Sequence, residues 1–251
     1  MTSDALLSAA GAYPAWAIAV SVIAVAAGAA LQSAVGFGFA LVAAPVLLFI
    51  DPALVPVPIT LAALVLTAAN FIANRHAADW RGLGWIVLGN GPGYLLGAIA
   101  LTHLPLVWLA MLFGALTLAM VWLSLARIHC SPVPRWQLPM GALSGFSGVT
   151  TAMNGPPIAL VYQHAAGPVV RATLSVYFFA SNLILLAIFA GLNRLDMQAA
   201  AAGLLLVPGV LLGLWLGRRF SRWVDAGRTR RSILWVSALS AVAVMLRYGG
   251  F

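Results

Sequence analysis

The sequence predicts an all-α polytopic membrane protein of two inverted repeats, each a broken-helix, re-entrant-like hairpin followed by three transmembrane helices. Composition, an internal echo and the placement of the arginines carry this reading. Hydrophobic residues make up 63% of the 251-residue chain and charged residues 7%. A soluble domain has about 25% charged residues, so this surface must be covered by lipid. Gly36 to Pro45 is echoed by Gly148 to Pro157, with glycine and proline at matching ends. The same offset carries Asn70 onto Asn182. With four residues inserted, Pro92 to Gly97 matches Pro208 to Gly213.

The elements follow from apolar runs, since about 20 apolar residues cross a bilayer. The first repeat covers 1–126. It opens with a hairpin over about 16–50, interrupted by Gly36 and Gly38, whose second arm from Phe39 is too short to cross comfortably. Runs at about 54–72, 83–101 and 106–125 supply three spans. A linker covers 127–137. The second repeat covers 138–251, with a hairpin at about 138–166, broken before Pro157, and spans at about 170–192, 197–216 and 232–248.

The arginines fix the direction. If each broken pair were one crossing, six arginines would fall on one side and seven on the other. If each pair enters and returns on one side, Arg75, Arg81, Arg127, Arg135, Arg171, Arg218, Arg219, Arg222, Arg228, Arg230 and Arg231 share a face, and only Arg194 and Arg247 lie opposite. Cytoplasmic loops carry an excess of Lys and Arg. The second arrangement satisfies that bias, inverts the two repeats and puts both termini in the periplasm of a bacterial inner-membrane protein. The net charge of +8 therefore reads as topology rather than nucleic-acid binding.

Backbone broken at membrane depth must be buried in protein or line a wet cavity. Each second arm would present a helix N-terminus to mid-membrane, and such an end attracts anions through free N–H groups and the helix dipole. Broken helices at corresponding places in two repeats are the sequence pointer to a transporter's binding site. The expected substrate site comprises Gln32, Ser33, Gly36, Phe37, Gly38 and Phe39 at the first break, and Ser147, Gly148, Thr150, Thr151, Asn154 and Gly155 at the second. Asn70 and Asn182 join them from the first full span of each repeat. Ser144 offers a further hydrogen bond, and Tyr162 and Tyr177 are candidates to reach the cavity. These groups are neutral donors and acceptors without a nearby acid, which suits a small oxyanion better than a metal or a cation.

Other classes have little support. Asp51, Asp79, Asp196 and Asp225 read as loop residues, so no acid is available for proton coupling, and His164 is the best titratable candidate. Cys130 is the only cysteine, so no intrachain disulfide or CxxC site is expected. No phosphate-binding GxxxxGK[ST] motif occurs, and Ser144, Ser147 and Cys130 have no paired histidine or carboxylate for catalysis. Neither enzyme activity nor a cofactor is expected. A passive anion channel, or a permease for a non-sulfur organic anion, is the competing reading. A single-chain pathway needs no partner, and a homodimer is compatible with it.

The Gly36-to-Pro45 break, with Gly148 to Pro157 in the second half, resembles the TauE/SafE sulfite-exporter family. The chain length and hydrophobic layout are similar too. The resemblance implies transport of sulfur-containing or organic anions such as sulfite, sulfonates or sulfoacetate across the bacterial inner membrane. Many first-half breaks in that family are richer in glycine. Phe37 and Phe39 here imply a more apolar pocket that takes an organic anion.

Overall fold

A computed structural model describes residues 13–125, 130–220, 235, 238, 239 and 242–248. All regular structure among them is helical. Helix α1 (Ala15–Val35) and α2 (Phe39–Ile50) are followed by α3 (Val57–Asn74), α4 (Trp80–His103) and α5 (Leu106–Leu125). The second half repeats the order with α6 (Pro134–Thr151), α7 (Gly155–Val161), α8 (Gly167–Gly191) and α9 (Met197–Phe220). Part of the expected span 232–248 and of the linker 127–137, together with Asp225, lies outside the described residues.

Among the described residues six helices are long and apolar enough to cross a membrane, α1 among them. With 21 residues α1 is about 31 Å long, so the first hairpin arm is a full-length helix and only its return is short. Helix α2 has 12 residues and α7 only seven. Helix α6 starts at Pro134 rather than 138 because proline suits the first helical turn. Exposed apolar residues confirm that lipid is the solvent. Leu88, Leu95 and Ile99 on α4, Trp108 and Trp122 on α5, and Leu211 and Trp215 on α9 all face outward.

Both broken pairs are hairpins. The hydroxyl of Tyr13, before α1, donates to Asp51 after α2 at 2.9 Å, so the two open ends meet. The side-chain NH₂ of Gln137 in the first turn of α6 donates to the Tyr162 hydroxyl just after α7 at 3.4 Å. The three described acids serve as helix and turn caps. Asp51 accepts from the Ala53 N–H at 2.8 Å, Asp79 from Gly82 at 2.9 Å and Asp196 from Ala199 at 2.7 Å.

The first hairpin helix of each half packs on the fourth helix of the other half: α1 on α9, and α6 on α4. Helices α3 and α8 pack on each other. Glycines four apart make the close pairs. Gly89, Gly93 and Gly97 of α4 lie against the carbonyls of Leu138, Ala142 and Phe146 on α6. Gly209, Gly213 and Gly217 of α9 lie against those of Val22, Ala26 and Ala30 on α1. A methyl at Gly209 or Gly217 would sit 2.6 or 2.7 Å from those oxygens. Small residues spaced this way let helix backbones approach closely in lipid.

Candidate functional site

The chain breaks in the left-handed region in both hairpins. Helix α1 ends on Gly36 (φ 102°) and α2 begins after Gly38 (φ 118°). Helix α6 ends on Ala152 (φ 58°) and α7 begins after Asn154. Gly36 therefore corresponds in conformation to Ala152, and Gly38 corresponds to Asn154 in place, each preceding the second-arm helix although Asn154 has φ −96°, four residues beyond the compositional echo. The separation is the one that relates Pro92 to Pro208. Glycine meets the left-handed requirement in the first break without strain, whereas the second holds a strained alanine.

The breaks face each other. A Cβ on Gly155 would lie 3.6 Å from that of Phe37. Between them is a cavity lined by Gln32, Gly38 and Phe39 of the first break, Asn154, Gly155 and Pro156 of the second, and Thr60, Thr67, Phe178 and Asn182 of α3 and α8. It offers about 20 Å³ to water centres, room for about one or two waters. No lining residue is charged.

The polar groups divide into those that hold the breaks and those that face the space. The Phe39 N–H donates to Gln32 Oε1 at 3.1 Å, so Gln32 caps α2 while its NH₂ remains for the cavity. Ala40 and Leu41 complete the lining first turn of α2. Asn182 donates to the Thr67 hydroxyl at 3.2 Å. Thr67 is itself a donor to the Ala63 carbonyl at 2.8 Å, which fixes the nitrogen of Asn182 toward Thr67. Thr60 donates to the Pro56 carbonyl at 2.7 Å.

The second break is held by a network that the sequence alone did not reveal. Ser144 donates to the Asn154 carbonyl and lies 2.6 Å from the Tyr177 hydroxyl. Ser147 donates to the Met153 carbonyl at 2.7 Å, and the Met153 N–H to Thr151 at 3.3 Å. Asn154 Nδ2 donates to Ser181 at 2.9 Å, Ser181 lies 2.9 Å from the Tyr94 hydroxyl, and Asn90 Nδ2 donates to Tyr94 at 3.2 Å. Ser147 and Thr151 thus spend their hydroxyls on backbone. Asn90, Tyr94 and Ser181 had no signal beyond being polar residues in apolar runs.

The remaining expected residues lie around this centre. Gly36 backs onto Leu174 and Arg171, and Gly148 onto Asn154 and Leu185. Ser33 faces Gly217 of α9, and its hydroxyl is buried without a partner. Asn70 is buried in α3 and does not line the cavity; its carbonyl accepts from Asn74 Nδ2 at 2.9 Å. Tyr162 donates to Asp79 at 2.8 Å, away from the cavity.

Two larger spaces flank the centre. Phe37 lines one of about 190 Å³, with Leu123, Gln163 and Val170, and Pro156 walls both this space and the centre. Thr150 lines the other, of about 360 Å³, with Tyr13, Arg194, Asp196 and Gln198. On α3, Val57 lines this larger space and Ile59 the centre; on α6 and the turn after it, Thr150 and Ala152 divide likewise.

The Sulfite exporter TauE/SafE family model matches residues 20–244. The chain belongs to the TauE/SafE family. Two curated proteins are similar to this chain. One is a probable sulfite/organosulfonate exporter TauE of Cupriavidus necator, 27% identical over 225 residues, covering 82% of this chain and 84% of the relative. Another is a probable inner membrane transporter protein TsaS of Comamonas testosteroni, 26% identical over 166 residues, 64% of this chain and 70% of the relative. No solved structure matches. The TauE/SafE match spans both breaks and every residue lining the central cavity, and it makes this protein a membrane transporter.

Proposed function

We propose that this protein is a secondary transporter that moves a small sulfur-containing or organic anion, of the sulfite, sulfonate or sulfoacetate kind, across the bacterial inner membrane by alternating access. The observation that carries this reading is the pair of breaks meeting at a small uncharged cavity with a larger space on either side. An open channel would have a continuous lumen. A narrow centre between two wider spaces instead supports a site exposed to one side at a time. The name of the Cupriavidus relative supports the substrate class.

The anion sits between the Gln32 NH₂, the first turn of α2 and the amides of Asn154 and Asn182. Neutral donors and a helix N-terminus stabilise negative charge without binding it too tightly to release. The exchange of packing partners between halves, α1 with α9 and α6 with α4, supports two repeats related by a two-fold operation. The hairpin returns and the arginine count support their inversion, with the Asp79 end cytoplasmic and the Arg194 end periplasmic.

Purified protein in liposomes tests this. Uptake of [³⁵S]sulfite and of sulfoacetate should saturate and show counterflow, with trans substrate accelerating entry. Uptake linear in concentration without counterflow supports the channel instead. No uptake of any of these anions by folded protein refutes the anion reading.

A further inference from the structure

The space at the Arg194 end has chemistry that the central cavity lacks. Its volume is about 360 Å³, and Arg194 and Asp196 are its charged lining residues. The turn after α8 aims Arg194 there. Asn193 takes the left-handed conformation (φ 54°), and the Arg194 N–H closes back on the Phe189 carbonyl at 2.8 Å. The Arg194 guanidinium donates to the Leu101 carbonyl in the last turn of α4 at 3.2 Å. That bond uses one of five N–H donors. Among the described residues Arg194 makes no ion pair, and the carboxylate of Asp196 is turned to its own helix through the Ala199 N–H. Gln198 adds an amide, while the lining hydroxyls are already committed as donors, Tyr13 to the Asp51 carboxylate and Thr150 to the Phe146 carbonyl. Burial, with the bond to Asp51, pushes the Tyr13 phenol up to about 12, so it remains protonated at neutral pH.

The space is stacked on the central cavity. Helix α2 lines it at Leu48 and the centre at Leu41, and α3 and α6 divide in the same way. An anion leaving the centre toward this end passes a cation at the exposed rim of the space, held by its bond to Leu101 and with donors to spare. We infer that Arg194, with the Gln198 amide beside it, forms a second oxyanion site, a docking vestibule occupied on the way into or out of the central cavity. This inference rests on the transport reading above. An oxyanion at this membrane depth has two sources, the transported solute or an anionic lipid headgroup, and the vestibule is assigned to the solute.

The test is the initial rate of [³⁵S]sulfite uptake against concentration for wild type, Arg194→Gln and Arg194→Lys. Liposomes are made of phosphatidylcholine alone or with phosphatidylglycerol, and unfolding midpoints check that each variant is folded. A charged group that concentrates substrate at a site entrance acts on encounter. Arg194→Gln should therefore raise the half-saturating concentration about tenfold with the maximal rate nearly unchanged. Arg194→Lys should restore most of it, and added salt should slow wild type more than Arg194→Gln. The effect should be the same in phosphatidylcholine alone. An unchanged half-saturation in Arg194→Gln, a lysine variant no better than glutamine, or an effect confined to liposomes with phosphatidylglycerol overturns the inference while leaving the transport reading intact. A wild type that moves no anion overturns both.

Discussion

Replacing Gln32 by glutamate separates the two jobs of that side chain. The native carboxamide accepts the Phe39 N–H at 3.1 Å and lines the cavity. A glutamate keeps an acceptor for Phe39, so α2 stays capped, but places a negative charge at the site. A bound anion in so small a space lies within about 5 Å of it. At an effective dielectric constant of about 20 the repulsion is about 3 kcal/mol, which raises the half-saturating concentration about 100-fold. Burial disfavours the ionised carboxyl and raises its pKa. Transport should therefore be lost at pH 8 and return as the pH falls and the side chain is protonated. Gln32→Met is the uncharged control. It leaves the buried Phe39 N–H without its acceptor and costs about 1–3 kcal/mol of stability, with no recovery at low pH. The assay is sulfite uptake into liposomes between pH 5.5 and 8. A folded Gln32→Glu protein that transports like wild type at pH 8 refutes an anion at this site.

Two changes probe the second break. Ala152→Gly removes a left-handed alanine, relieving about 1–2 kcal/mol of strain against about 0.5–1 kcal/mol of added backbone entropy. The unfolding midpoint in detergent should rise slightly, and a clear fall would show that the alanine methyl is needed for packing. Ser144→Ala strips a donor from the Asn154 carbonyl and a partner from Tyr177. It should lower stability by about 1–3 kcal/mol, about 2–4 °C in midpoint per kcal/mol for a chain of this size; an unchanged midpoint would mean that the break does not depend on this bond.

The sequence was most legible where a residue type has one strong physical use. Gly36 and Gly38 marked the first break because few other residues sit at positive φ, and Pro156 and Pro157 marked a helix start. Matching glycine to glycine nevertheless misplaced the correspondence by four residues. Ala152 tolerates the left-handed conformation within a well-bonded turn, so its composition carries no mark of it. The Asn90–Tyr94–Ser181 chain was illegible for a different reason. Its members are single polar residues on separate helices, brought together only when the glycine face of α4 lets α6 approach. Those glycines serve helix–helix contact and line no site. Gln32 was singled out as a ligand, yet its double role as cap and lining group required the distance to Phe39.

The central claim is that the cavity between the two breaks holds an oxyanion, and ligand-induced stabilisation of purified protein tests it most directly. A ligand that binds the folded state at 100 times its dissociation constant adds about 2.7 kcal/mol. The account predicts a saturable rise in unfolding midpoint with sulfite or sulfoacetate, none with choline, and loss of the rise in Gln32→Glu at pH 8. A folded protein that no anion stabilises, or an equal rise in wild type and Gln32→Glu, would contradict it.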